Sequence, residues 1–319
     1  MRELKTLGIL VVLFLLISVA QAEDWPMFQH DASHTGYSGS KLPDTLDLIW
    51  VSEDYNIDFQ PIIYGGKVFG CNMLGEVYCL DENTGELIWH VKVGDGEIPF
   101  FWTLYSPISV MDGKVFVSVF EEERHKIYCL EENNGKLIWE YESDMDLAGV
   151  TVRDGKLYAG CFCLNASTGK LIWENSVVKA EVVQPYTSVT LNSPAIGNGK
   201  VFISTQSLGQ SGKIYCLEEN TGKLIWSYEG DCDSFSLPSF SDNKVFVSSF
   251  GMIRPCSLKI YCLNGSDGKV IWDYDCHRYI LGPPAITDGC ILAIPTYEKR
   301  VVVFAYCLDK NTGSGVHPC

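Results

Sequence analysis

The chain has 319 residues, of which 46% are hydrophobic, with 24 basic and 40 acidic side chains and a formal net charge of −16. That balance repels nucleic acid and anionic lipid at long range and excludes a role driven by a basic surface. The apolar content supports a sizeable core, and the length is near the upper limit for one core unless the domain is a ring or a barrel.

Taken in chain order, Arg2 and Lys5 precede an almost continuous apolar run from Leu7 to Val19, followed by Ala20-Gln21-Ala22. This is the pattern of a secretory signal peptide over residues 1–22, and it predicts a secreted or extracytoplasmic protein, at the cell surface or in the periplasm. The run is short for a bilayer span, and no later segment could cross, so no membrane span is expected after cleavage. Residues 23–44 read as an N-terminal strap. His30, Asp31 and His34 lie close together there. They are read as ordinary hydrogen-bonding residues of the strap, and no metal is assigned.

Residues 45–319 read as a single repeat domain. One phrase recurs: YCLDENTGELIW ending at Trp89, YCLEENNGKLIW at Trp139, FCLNASTGKLIW at Trp173, YCLEENTGKLIW at Trp226 and YCLNGSDGKVIW at Trp272. A sixth copy, YCLDKNTGSG from Tyr306, lacks its tryptophan. Upstream of each copy an Asp-Gly or Asn-Gly type turn separates two apolar runs, as at Asp112-Gly113, Asp154-Gly155 and Asn198-Gly199. Such pairs tolerate the positive φ of a tight hairpin. Proline opens several of the first runs (Pro107, Pro194, Pro238, Pro284), where a missing N–H spoils no ladder bond. The unit is therefore four strands, a–b–c–d, repeated every forty-odd residues. No segment after the signal has the length and period of a helix. The fold class is all-β, a β-propeller of four-stranded antiparallel blades.

Six a–b–c sets are present, and the last lacks strand d. Leu46-Asp47-Leu48-Ile49-Trp50 has the Leu-Ile-Trp ending without a strand c before it. We therefore expect six blades, over 52–89, 90–139, 140–173, 174–226, 227–272 and 273–308, the last completed by a closing strand at 45–51. Seven blades is the alternative, if residues 24–44 and 309–319 contribute more than straps. Closure removes the open edge that would otherwise invite aggregation.

These repeats resemble the pyrroloquinoline-quinone-type propeller family, through Asp81-x-x-Thr84-Gly85 with Trp89 and its counterparts at 133–139, 168–173, 221–226 and 267–272. The opening Asp24-Trp25-Pro26-x-Phe28-x-x-Asp31 with Gly36 also looks like that family. The resemblance implies that Trp50, Trp89, Trp139, Trp173, Trp226 and Trp272 dock each blade to the next. It decides little about function, because the fold serves dehydrogenases, assembly scaffolds, sensors and surface proteins alike. Quinone-dependent dehydrogenases of this type carry an adjacent cysteine pair against the cofactor. Here the nearest approach is Cys161-Phe162-Cys163, and Cys276-His277 lacks the first cysteine of a haem signature. No catalytic, cofactor-binding or metal residue is assigned, and no cofactor is expected.

Of thirteen cysteines, six (Cys79, Cys129, Cys163, Cys216, Cys262, Cys307) hold the repeated strand-c position, which asks for a small buried side chain. Export permits disulfides. The pairs expected first are Cys71 with Cys79, Cys290 with Cys307, and Cys232 with Cys276.

The a–b and c–d turns fall on one face of a propeller and are stereotyped here. The b–c and d–a connections fall on the other and vary. Scaffolded variable loops are where repeat proteins bind. Phe101, Trp102, Tyr105 and Tyr186 are the candidate partner-binding residues. Glu121-Glu122-Glu123 reads as a solvated hairpin tip, and Asn165-Ala166-Ser167 and Asn264-Gly265-Ser266 are glycosylation sequons in c–d turns. The expected function is an exported, non-catalytic scaffold binding an unknown protein or glycan. The alternative is a quinone-dependent or other cofactor-binding enzyme.

Overall fold

The computed structural model describes residues 23–40, 48–52, 55–94, 108–121, 124–183, 189–251, 256–276, 282–294 and 305–315. The chain is an all-β propeller. The first sheet holds β1 (Ile62–Tyr64), β2 (Lys67–Cys71), β3 (Glu76–Asp81) and β4 (Leu87–Lys92), in that order. The second holds β5 (Ile108–Met111), β6 (Lys114–Glu121), β7 (Arg124–Glu131) and β8 (Leu137–Ser143). After the two-residue β9 (Asp146–Leu147) come β10 (Thr151–Arg153), β11 (Lys156–Ala159), β12 (Phe162–Asn165) and β13 (Leu171–Glu174). Helix α1 (Ser176–Val182) and β14 (Val189–Leu191) lead to β15 (Ala195–Gly197), β16 (Lys200–Ser207), β17 (Lys213–Glu218) and β18 (Leu224–Glu229). Next, β19 (Ser234–Phe235) precedes β20 (Ser239–Ser241), β21 (Lys244–Phe250), β22 (Lys259–Asn264) and β23 (Val270–Asp275). The last sheet has three strands among the described residues, β24 (Ala285–Ile286), β25 (Cys290–Ala293) and β26 (Tyr306–Asp309). All blade pairings are antiparallel between sequence neighbours.

The repeated phrase has a direct structural reading. The strand-c cysteine faces the strand-d tryptophan across the ladder in five sheets, as Cys79↔Trp89, Cys129↔Trp139, Cys163↔Trp173, Cys216↔Trp226 and Cys262↔Trp272. A small side chain there leaves room for the indole. A β-bulge follows each of these cysteines, which increases the local twist. The aromatic of strand b (Phe69, Phe116, Tyr158, Phe202, Phe246) lies 5.9–6.2 Å from the tryptophan of its own sheet, ring centre to ring centre. Tilted aromatic pairs at this distance are favourable beyond their burial.

Each indole also reaches the following sheet. Trp89 Nε1 donates to Glu132 O at 2.7 Å, Trp139 to Ala166 O, Trp173 to Glu219 O, Trp226 to Gly265 O and Trp272 to Lys310 O. All five acceptors are the second residue of a c–d turn. The glycine closing that turn has φ near +70° and lies under the same indole. A Cβ built on Gly135 would stand 2.7 Å from the Trp89 ring, so both backbone and packing require glycine. Within each sheet the two turns are tied together, from Glu82 N to Gly66 O and Glu132 N to Gly113 O through to Lys310 N to Gly289 O. The lysine that follows the a–b turn crosses to the next sheet in three places, Lys67 to Asn133, Lys156 to Asn220 and Lys244 to Asn311. These bonds give the stereotyped turns a structural reason.

Three features depart from the sequence reading. A short helix does form: α1 is capped by Asn175, whose side chain accepts from Val178 N at 2.9 Å. Seven residues are too few to show a periodic signal. Residues 48–50 form no strand, so the expected pairing of 45–51 with β26 is not found among the described residues. The turn Asp309 N to Ser314 O carries the chain directly back, and Gly315 forms a bridge with Leu308, at the start of the strand-d position. The strap, lastly, is no peripheral feature, since residues 25–36 run across the hub.

Candidate functional face

The two faces of the propeller are built from different chemistry. On the side of the stereotyped turns the hub is filled by the N-terminal segment. Trp25 exchanges main-chain bonds with Ile63, while Val110 N donates to Pro26 O, Ile196 N to Ala32 O, Phe240 N to Ser33 O and Ile286 N to Thr35 O. Asp31 shapes this segment. Its Oδ1 accepts from Ser33 N and Thr35 N, and its Oδ2 from Thr35 Oγ1.

A belt of hydroxyl bonds joins the innermost strands. Ser109 Oγ donates to Val150 O, Thr151 Oγ1 to Pro194 O and Ser239 Oγ to Pro284 O. Each acceptor is the residue just before the equivalent position of the next sheet. At β15 the equivalent residue is Ala195, which has no hydroxyl. His34 supplies the missing donor, with Nδ1 3.1 Å from Pro238 O and Nε2 3.2 Å from Thr151 Oγ1. A carbonyl can only accept, so the network assigns the proton to Nδ1; Nε2 can then only accept, and the single Thr151 hydroxyl proton serves either it or Pro194 O. Burial holds the His34 imidazole down to a pKa of about 4.

Of the sequence trio His30, Asp31 and His34, His30 Nδ1 stays 3.7 Å from Asp31 while His34 turns away into the hub. His34 is buried in the hub, Asp31 caps its own turn, and His30 Nε2 lies 3.3 Å from Glu23. A cavity of about 380 Å³ beside the strap is lined by Glu23, His30, Asp31, Asp242, Asp288 and Lys310, among others. Lys310 is buried and pairs with Asp242 at 2.6 Å, which holds the Asp242 carboxyl below its ordinary range. The sequon asparagines serve the c–d turns as Asp81 does: Asn165 Oδ1 accepts from Ser167 N and Thr168 N, and Asn264 Oδ1 from Ser266 N.

The opposite face carries a second sheet that the repeat pattern did not announce. Strand β14 pairs in parallel with β9 and antiparallel with the end of β16, and β19 bridges β16 and β21. Three consecutive blades are therefore hydrogen-bonded to one another through their d–a connections. The interior beneath is polar. Asn192 donates to Ser204 Oγ and Phe235 O, and accepts from Gln206 Nε2. All three side chains are buried. The bonds among Asn192, Ser204 and Gln206 favour one arrangement, while Thr190 Oγ1 on β14 and Ser248 Oγ on β21 are buried without a hydrogen-bond partner among the described residues.

A disulfide joins Cys232, in the connection before β19, to Cys256, in the b–c connection of the same blade. This corrects the expected Cys232–Cys276 pair. Cys276 is a free buried thiol whose N–H donates to Leu258 O. Cys71 and Cys79 are also free, since both face the core rather than each other: Cys71 pairs across the ladder with Val77, and Cys79 with Phe69. Cys290 Sγ lies 3.2 Å from Thr287 Oγ1, and its ladder partner is Asp309, whereas that of Cys307 is Leu292. Burial pushes the thiols of Cys79, Cys129, Cys163, Cys216 and Cys262 up to about 12. Glu121 is buried as well, accepting from Tyr128 Oη at 2.6 Å with Lys126 at 3.1 Å, so the hairpin tip is not wholly solvated. Phe101, Trp102, Tyr105 and Tyr186 lie outside the described residues.

The family profile of the outer membrane protein assembly factor BamB matches residues 74–160 and 162–254. No curated protein matches the chain. The computationally designed Ika8 protein is similar in structure, with a TM-score of 0.60 at 12% identity, over 80% of this chain and 71% of that one. BamB from Moraxella catarrhalis gives 0.42 at 13% identity, over 72% and 78%. A quinohemoprotein alcohol dehydrogenase from Comamonas testosteroni gives 0.48 at 16%, over 95% and 50%.

Proposed function

The chain belongs to the family of the outer membrane protein assembly factor BamB, and on that premise we propose that it is an exported, non-catalytic scaffold that binds a protein or glycan. The binding face is the one carrying the variable connections. The second sheet, β9–β14–β16–β19–β21, is the observation that carries this reading. It stiffens three blades under the loops, while the other face is spent on turn-to-turn ties. Function sits on loops held by a rigid frame. The Cys232–Cys256 bond, on the same face, fits an oxidising compartment such as the periplasm or the cell exterior.

The ring closes as six blades in this reading, with 45–51 beside the last sheet. Trp50 supports it, because its indole takes the docking position on the first sheet that the other tryptophans take on theirs. Ile49→Pro should then lower the melting temperature by several degrees, and an unchanged melt would reject closure by this segment.

The functional test targets the aromatics of the variable face. Aromatic anchors buried by a partner contribute about 2 kcal/mol or more each. Replacing Trp102 and Tyr105 together should abolish capture of an envelope partner while leaving the melt unchanged. Lost stability with capture retained would make them core residues. Added quinone that raised the melting temperature and brought its own absorbance would favour the enzymatic alternative.

A further inference from the structure

We infer that the hub of this propeller is a binding site for polypeptide main chain, and that residues 25–36 of the same chain are its occupant, an axle on which the blades are assembled. The inference is independent of what the variable face binds.

The innermost strand of a blade has a neighbour on one side only. Its other edge presents main-chain N–H groups to the axis, and buried N–H groups need acceptors. Five such donors converge here, Ile63, Val110, Ile196, Phe240 and Ile286, one from each of five blades. Their acceptors are the carbonyls of Trp25, Pro26, Ala32, Ser33 and Thr35, at 2.6–3.1 Å. The remaining blade, that of β10, is reached by the His34 imidazole through Thr151. Ser33 Oγ returns a bond to Ile196 O. One twelve-residue segment therefore touches every blade among the described residues, which a strap laid over the surface would not do.

The segment is shaped for this. Gln29, His30 and His34 have φ of 58°, 73° and 55°, in the left-handed region that non-glycine residues seldom occupy. Those turns, with the Asp31 cap, wind the chain about the axis so that successive carbonyls point outward to different blades. Strain of this kind persists where the surroundings over-determine it.

The test uses the full chain with a protease cleavage sequence inserted after Ser40, which is exposed. After cutting, the fragment ending at residue 40 should stay with the propeller through gel filtration. In the uncut, unmodified protein, the amides of Val110, Ile196, Phe240 and Ile286 should exchange only as slowly as the most protected blade amides. If the fragment is lost on cutting and the remainder unfolds, added synthetic peptide 23–40 should restore the cooperative melt. Release of the fragment with the melt of the remainder intact would overturn the inference. So would exchange of those four amides at the rate of exposed loops.

Discussion

The indole of Trp50 donates to the main-chain oxygen of Glu82 at 2.7 Å, and Trp89 makes the same bond to Glu132 at the same length. Trp50 lies over Gly85 as Trp89 lies over Gly135. The repeated tryptophan thus works forwards, stabilising the turn of the next blade as much as its own sheet. Trp89 is 8% exposed, so Trp89→Ala removes a buried ring and leaves a cavity. The expected loss is about 3–5 kcal/mol, read as a drop in the urea midpoint. Trp89→Phe keeps most of the ring and forfeits the indole bond, for a smaller loss of about 1–2 kcal/mol.

The strand-c thiols should be inert in the folded protein. Each is buried opposite a tryptophan, and burial, outweighing the lysine nearby, raises the pKa of Cys79 and Cys216 to about 12. The thiolate is the reactive form. At pH 8 an aromatic disulfide reagent should modify Cys79, Cys129, Cys163, Cys216 and Cys262 only on denaturation. Rapid labelling under native conditions, mapped by mass spectrometry, would place these residues elsewhere.

Reducing or removing the Cys232–Cys256 bond should destabilise the blade that carries it. The two residues are 24 apart in sequence, and closing a loop of that size restricts the unfolded chain by about 3 kcal/mol. The double change Cys232→Ser with Cys256→Ser should lower the melting temperature and raise proteolysis in the 231–258 region first. An equal loss from Cys276→Ser alone would point to the pairing expected from sequence instead.

The blades were legible because their signals are local and repeated. Asp-Gly turns, strand-c cysteines and strand-d tryptophans each act within about ten residues, and six copies average out the noise. The hub was not legible. Its bonds join residues about 40 to 250 apart, such as Trp25 with Ile63 and Thr35 with Ile286, and they run through main-chain groups that any side chain would supply. Asp31, which caps Ser33 and Thr35, reads in sequence as no more than an ordinary strap residue. The second sheet was hidden for a related reason, since β9 and β19 are two residues each, too short for any periodic pattern. The disulfide was misread because Cys232 and Cys276 occupy equivalent places in consecutive blades, whereas the bond forms within one blade, to Cys256. Equivalence in sequence marked the repeat and not proximity.

The His34 and Ala195 relationship yields a test that couples pH to a single hydrogen bond. His34 is buried neutral, with a folded pKa of about 4 against an ordinary 6.5. A lowered folded value means that the unfolded chain binds the proton first. The contribution is therefore complete above pH 6.5 and is lost as pH falls towards 4, by at most about 3 kcal/mol. His34→Ala should flatten the difference in stability between pH 7 and pH 4.5, compared with the parent. It should also lower stability at pH 7 by about 1–3 kcal/mol, because Pro238 O is left buried without a donor. The innermost strands suggest the repair. In the next blade the Ser239 hydroxyl reaches Pro284 O, the counterpart of the Pro238 carbonyl that Ala195 cannot reach. Adding Ala195→Ser to His34→Ala should restore about 1 kcal/mol at pH 7 without restoring the pH dependence, since a hydroxyl does not titrate in this range. In the parent the same Ala195→Ser change should be neutral or harmful, as the acceptor is already occupied. Equal effects in both backgrounds, measured as a double-mutant cycle of urea midpoints, would show that His34 does not stand in for the missing hydroxyl.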